Sequence, residues 1–263
     1  MTILQSLFLG ILQGLTEFLP ISSSGHLVIA ENFLGVDIDP KALLSVNVVL
    51  HAGTLLALLI MYFSRWVEMV FSLVTNNRPK RRVVFLLIIA TIPAGIAGVL
   101  VDDLVSGIFS SLRSVGISLL ITALVLWLGE WIGKKRKDQN VKYLGALWIG
   151  VFQACALVPG ISRSGLTISA GRSVGLSRSD ALDFSFLMLV PILMGAILLT
   201  GLDIINENIA IPDINILVVG FISSCAVSIA ALLFLKKFVR SHSLSWFSVY
   251  LIVIGLVLIF LEL

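Results

Sequence analysis

Six apolar runs, each long enough to cross a bilayer, restrict this chain more than anything else in it. They cover about 43–63, 83–101, 115–133, 181–202, 214–235 and 246–261. A helical span needs about 20 apolar residues. With 58% hydrophobic and 13% charged residues, the chain is far from the roughly one-quarter charged content of a soluble domain. It reads as one all-α polytopic membrane domain over 1–263, with no room for a separate soluble unit. The first 20 residues are apolar but lack a basic start and a small-residue cleavage site, so they read as part of the mature protein. A net charge of +3 is no nucleic-acid signature. Cys155 and Cys225 lie in apolar stretches and read as buried, reduced thiols.

Charge orients the runs, because basic residues collect on the cytoplasmic side. Arg65, Arg78, Lys80, Arg81 and Arg82 mark one inner loop; Lys134, Lys135, Arg136, Lys137 and Lys142 mark a second; Lys236, Lys237 and Arg240 mark a third. The segments 31–41, 102–113 and 203–213 are acid-rich and belong outside. Parity then decides the rest. The chain is inside at Lys142 and must be inside again before Ala181, so 144–171 enters and returns on the same side. Pro159-Gly160 and Gly165 supply its break. The same reasoning makes 2–29 re-entrant from outside, broken at Pro20 and Gly25. The alternative, in which 144–159 spans, places Arg172 and Arg178 outside and breaks the charge pattern. The expected architecture is six transmembrane helices plus two re-entrant hairpins. They form an inverted-topology repeat, with repeat 1 about 1–133 and repeat 2 about 144–263. Such folds place their sites where broken helices meet near the midplane.

The two broken segments are copies of one another. Q-G-L-T-E-F-L-P-I-S-S-S-G-H occupies 13–26 and Q-A-C-A-L-V-P-G-I-S-R-S-G-L-T occupies 153–167. One gap-free offset of 140 pairs Gly10 with Gly150, Gln13 with Gln153, Ser22 with Ser162, Ser24 with Ser164 and Gly25 with Gly165. Between them they carry Glu17, His26 and Arg163 in apolar surroundings, where ionisable groups mark function by default. Small residues let backbone N–H groups converge on an anion, and a following helix start adds its positive end. Arg163 adds a fork suited to phosphate. Ser22, Gly25, Ser162, Ser164, Gly165 and Thr167 are the candidate phosphate-binding residues. Glu17, one turn after Gln13, could hold a divalent cation (Mg²⁺ or Ca²⁺), orient His26 or act as a base. His26 is the candidate acid or base. Ser23, Ser24 or water could be the nucleophile.

Blander roles compete. Glu17 and Arg163 could be an architectural ion pair, the Ser/Gly clusters close-packing surfaces, and His26 a carbonyl's partner. Asn47, His51 and Thr54 share one helix face and read as packing against a neighbour rather than lining a cavity. Glu130 and Asp183 sit at membrane ends within reach of water. Trp127, Trp131, Trp148 and Trp246 suit interfacial anchoring.

On the motifs at 13–26 and 159–167, and over essentially its full length, the chain resembles the undecaprenyl-diphosphate phosphatases, also called bacitracin-resistance phosphatases. The resemblance implies a multi-pass enzyme of the bacterial inner membrane. Such an enzyme removes the terminal phosphate of a polyprenyl diphosphate and so regenerates the lipid carrier for peptidoglycan. It also implies bacitracin resistance, divalent-cation dependence and a site open to the outer face. The matching site residues are Glu17, Ser23, Ser24, His26, Ser162, Arg163 and Thr167. Some relatives carry Glu where this chain has Gln13, which leaves Glu17 as the lone candidate cation ligand. The expected partners are the lipid substrate and membrane lipids, with a homodimer as the candidate assembly. A transporter or flippase for the phosphorylated carrier is the competing function.

Overall fold

The computed structural model describes residues 1–75, 77–105, 111–136 and 141–261, with 101–105 described for the backbone alone. Most of the acid-rich segment 102–113, and Lys137 in the second basic loop, lie outside the described side chains. Among the described residues there are eleven helices and no strand: α1 Ile3–Thr16, α2 Ser23–Phe33, α3 Pro40–Met61, α4 Phe63–Val74, α5 Arg78–Val105, α6 Leu112–Lys135, α7 Tyr143–Cys155, α8 Arg163–Ser173, α9 Arg178–Asn206, α10 Ile214–Ser241 and α11 Ser245–Leu261.

Five of these, α3, α5, α6, α9 and α10, are long and apolar enough to cross a membrane, as expected of a multi-pass membrane protein. α11 is apolar but only 17 residues long. One segment read as a loop holds a helix. α4 follows the first span and buries Met69 and Ser72, while Phe63, Val70, Phe71 and Val74 stay exposed. Its charged residues, Arg65 and Glu68, hide it from a search for apolar runs.

The pair α1 and α7, and the pair α2 and α8, each begin 140 residues apart, so the offset in the sequence survives as an offset in structure. α1 packs on α10, and α7 packs on α5. Matching glycines allow both contacts. A Cβ at Gly10 would meet the Gly220 carbonyl oxygen at 2.6 Å, and one at Gly150 would meet that of Ala90 at 2.5 Å. Small residues let helix backbones approach this closely. α1 and α2 fold back as a hairpin, since Gln5 Nε2 donates to the Leu34 carbonyl at 3.0 Å. α7 and α8 do likewise, with Trp148 Nε1 donating to Ser173 Oγ at 3.2 Å.

One end of the bundle is knitted by buried charge. Glu130 receives Arg178 Nη2 at 2.7 Å and Ser243 Oγ at 3.1 Å, with Arg172 Nε at 3.4 Å. Glu130 is 2% exposed, so it does not reach water as its position near a span end implied. Three partners from separate segments offset its desolvation. Asp183 accepts from Tyr62 Oη at 2.5 Å and pairs with Arg65 at 2.7 Å. At the opposite end the exposed pair Lys41–Glu207 joins the start of α3 to the end of α9 at 2.6 Å. Both cysteines are free, but Cys155 is exposed rather than buried, because its side of α7 turns away from the bundle. The four tryptophans read as anchors are all exposed.

Candidate active site

The two broken segments meet inside the bundle. α1 ends at Thr16, and the Glu17 amide still donates to the Gln13 carbonyl at 2.9 Å. That puts the two side chains on one face, where Gln13 Nε2 donates to Glu17 Oε2 at 3.1 Å. After Pro20 the chain turns, and Ser22 caps α2 by accepting from the Gly25 amide at 3.2 Å. Ser162 caps α8 in the same way, from the Gly165 amide at 3.1 Å. Ser22 holds φ 71°, a left-handed conformation, whereas Ser162 has φ −74°. A serine held there carries backbone strain that its surroundings must offset. The two loops are tied to each other: the Gly160 amide donates to Ser24 Oγ at 3.3 Å, and Ser164 Oγ donates to the Leu19 carbonyl at 3.0 Å.

Glu17 is the hub. Ser23 Oγ donates to its Oε2 at 2.5 Å and Arg163 Nη2 to its Oε1 at 3.0 Å. His51 Nε2 stands 3.7 Å from Oε2. These groups line a cavity of about 150 Å³ together with Ser22, Ser24, Ser162 and Ser164, walled on the apolar side by Ile161, Leu189 and Leu193. The starts of α2 and α8 therefore both border it. First-turn amides lack partners within their own helix, so two positive helix ends face one small volume. Arg163 Nη1 is buried without a hydrogen-bond partner. One arm of the guanidinium is thus anchored on Glu17 and the other is free for an anion.

Most of the expected residues gather here, with distinct duties. Gly25 and Gly165 spend their amides on the serine caps. Thr167 does not line the cavity. Its hydroxyl engages the Arg163 carbonyl at 2.9 Å and Ser185 Oγ at 2.7 Å, which locks α8 onto α9. His26 does not line it either. Its Nδ1 bonds the Ser22 carbonyl at 2.7 Å and its Nε2 the Tyr250 hydroxyl at 2.7 Å. The ring stacks on Tyr250 at 5.8 Å. Glu17 bonds Gln13, Ser23 and Arg163, so the arrangement in which it orients His26 is not the one seen. The imidazole at the cavity belongs to His51, whose Nδ1 bonds the Asn47 carbonyl at 2.7 Å and leaves Nε2 facing Glu17. The shared face of Asn47 and His51 was the available signal. Periodicity alone cannot distinguish a cavity wall from a packed neighbour.

A divalent cation finds little here on the protein side. Among the described residues no three His, Cys, Asp or Glu side chains gather. Glu17 offers one carboxylate, and a guanidinium already neutralises it. This donor set does not make an all-protein cage of the kind Ca²⁺ takes; Mg²⁺, which is held by one or two carboxylates together with substrate phosphates, would need the substrate to complete its shell.

Membrane-length helices enclosing a small polar site that two helix starts border define a multi-pass membrane protein. Residues 6–257 match the family described as bacitracin resistance protein BacA. The chain is 38% identical to undecaprenyl-diphosphatase 1 of Bacillus cereus (strain ATCC 14579), over 98% of each chain. It is 41% identical to undecaprenyl-diphosphatase of Gemmatimonas aurantiaca, over 98% of this chain and 97% of that one. It is 34% identical to undecaprenyl-diphosphatase of Alkaliphilus metalliredigens over the full length of both. The chain belongs to the bacitracin resistance protein BacA family.

Proposed function

We propose that this protein hydrolyses undecaprenyl diphosphate to undecaprenyl phosphate and inorganic phosphate, which recycles the lipid carrier for peptidoglycan synthesis and confers bacitracin resistance. One observation carries the chemistry: a serine hydroxyl, Ser23, bonds a buried carboxylate at 2.5 Å, and that carboxylate also anchors an arginine with one free arm. The terminal phosphate occupies the cavity, and Arg163 Nη1 with the helix-start amides binds its oxygens. Ser23 Oγ attacks phosphorus while its proton passes to Glu17. The bridging P–O bond breaks and the prenyl monophosphate leaves. Water then cleaves the phosphoserine, releasing inorganic phosphate and restoring Ser23. Ser24 is less suited to attack, since its hydroxyl is engaged with Ser22 and the Gly160 amide. His51 faces the reacting groups, and His26 braces Ser22. Any Mg²⁺ or Ca²⁺ enters as the counter-ion of the diphosphate. A transporter needs Arg163 but has no use for the Glu17–Ser23 pair. The test is phosphate release from a prenyl diphosphate by the purified protein, with and without chelator. Turnover is expected; a protein that binds the lipid and releases no phosphate in either arm overturns the reading.

For the topology we propose six spans, with α11 as the short sixth. The α1–α2 hairpin is re-entrant from outside, and α7–α8 is re-entrant from inside. The halves 1–133 and 144–263 lie inverted, with the site open to the outer face. At about 1.5 Å per residue, α1 and α7 reach only about two-thirds of the way through a hydrocarbon core of about 30 Å. Each hairpin closes beside its own start, as its Gln5–Leu34 or Trp148–Ser173 bond requires. A cysteine placed at Asp138, with Cys155 and Cys225 replaced, should resist an impermeant thiol reagent in whole cells and react after lysis. Labelling from outside would sink this topology.

A further inference from the structure

His51 and Leu193 do not serve the phosphate cavity alone. Both residues also line a second, largely apolar groove of about 240 Å³ between α3 and α9, formed with Leu44, Val48, Ala196 and Ile197 and with Asn47 and Thr200 as its polar members. We propose that this groove holds the first isoprene units of the substrate's hydrocarbon tail and so sets the preference for long prenyl chains; this rests on the diphosphatase reading above. A ligand that puts phosphate oxygens on Arg163 and a hydrocarbon chain in lipid needs a path that changes from polar to apolar within a few ångströms. His51 and Leu193 mark that change. Beyond them most of the wall side chains are aliphatic, and Leu44 and nearby Leu198 are exposed. The Lys41–Glu207 pair bridges the same two helices at their ends, so the chain leaves sideways into the bilayer rather than along the helix axes.

Two other cavities fit less well. The larger one, about 580 Å³, is lined by Leu15, Ile21, Phe234, Trp246 and Tyr250 and shares no lining residue with the phosphate cavity. His26 and Tyr250 stand between that cavity and the reacting groups. The cavity beside Arg65, Arg82 and Asp183 lies at the knitted end, where Arg65 is already paired with Asp183.

The test compares farnesyl diphosphate with isopentenyl diphosphate, which share the diphosphate and differ in tail. In Ala196→Phe the new ring fills the groove. The ratio of kcat/KM for farnesyl over isopentenyl diphosphate should fall at least about 10-fold, the equivalent of one lost 1.4 kcal/mol. Val48→Phe adds bulk from the α3 side and should act alike, which covers the case in which one variant fails to fold. Leu15→Phe, in the larger cavity, should leave the ratio at its wild-type value. A ratio unchanged in both groove variants, or lowered by Leu15→Phe instead, overturns the assignment. Wild-type protein that cleaves neither substrate would instead defeat the diphosphatase reading itself.

Discussion

Replacing Arg163 with Ala should lower phosphate release by roughly 10²–10³-fold, the usual effect of removing one preorganised donor to a developing anion. Two losses combine in that variant. The phosphate loses the free Nη1 arm, and Glu17 loses the partner at 3.0 Å that offsets its burial. Arg163→Lys separates them. An ammonium can still neutralise Glu17, but it cannot hold the carboxylate and a phosphate with two arms of one rigid fork. Its activity should stay more than about 10-fold below wild type, since one charge-assisted hydrogen bond contributes about 1.5–3 kcal/mol. Steady-state assays on folded variants decide this. Wild-type turnover in Arg163→Lys would reduce Arg163 to a point charge.

Replacing Glu17 with Gln should cost roughly 10²–10⁴-fold, the range for a lost general base. Ser23 then loses its proton acceptor, and Arg163 is left as a buried charge without its carboxylate. Added Mg²⁺ or Ca²⁺ should not restore activity, because the variant removes the proton acceptor for Ser23, which a cation cannot replace. A clear rescue by metal would make Glu17 a cation ligand after all. His26→Ala is the informative comparison. His26 touches Ser22 and Tyr250 rather than the cavity, so its loss should be smaller than that of Glu17→Gln and should leave the shape of the pH profile unchanged.

These predictions rest on residues of uneven legibility. Five of the six apolar runs became membrane-length helices because run length alone dictates them. The offset of 140 was visible because the two loops need the same cap chemistry. Glu17 and Arg163 stood out as charges among apolar neighbours, although the motif could not say that they pair. His26 stood out because it follows the serine loop in sequence, but its Nε2 partner Tyr250, 224 residues away, was not visible there. His51 was visible only as one of three polar residues on a helix face. α4 escaped notice because its charges interrupt the apolar pattern. Cys155 read as buried because lipid-facing and core-facing positions carry the same apolar neighbours.

Among the described residues the two ends of the bundle carry ties of different kinds, one buried and one exposed. At one end Glu130 and Asp183 each gather partners from several segments, and stripping a partner from buried Glu130 costs roughly 3–5 kcal/mol. At the other end, the Lys41–Glu207 pair is exposed, where screening leaves little net attraction. Rising ionic strength therefore weakens the exposed Lys41–Glu207 tie before it weakens the buried one. α3 and α9, the two helices that this exposed pair joins, are also the walls of the apolar groove, so the tie that salt weakens is the one that spans the groove's two walls.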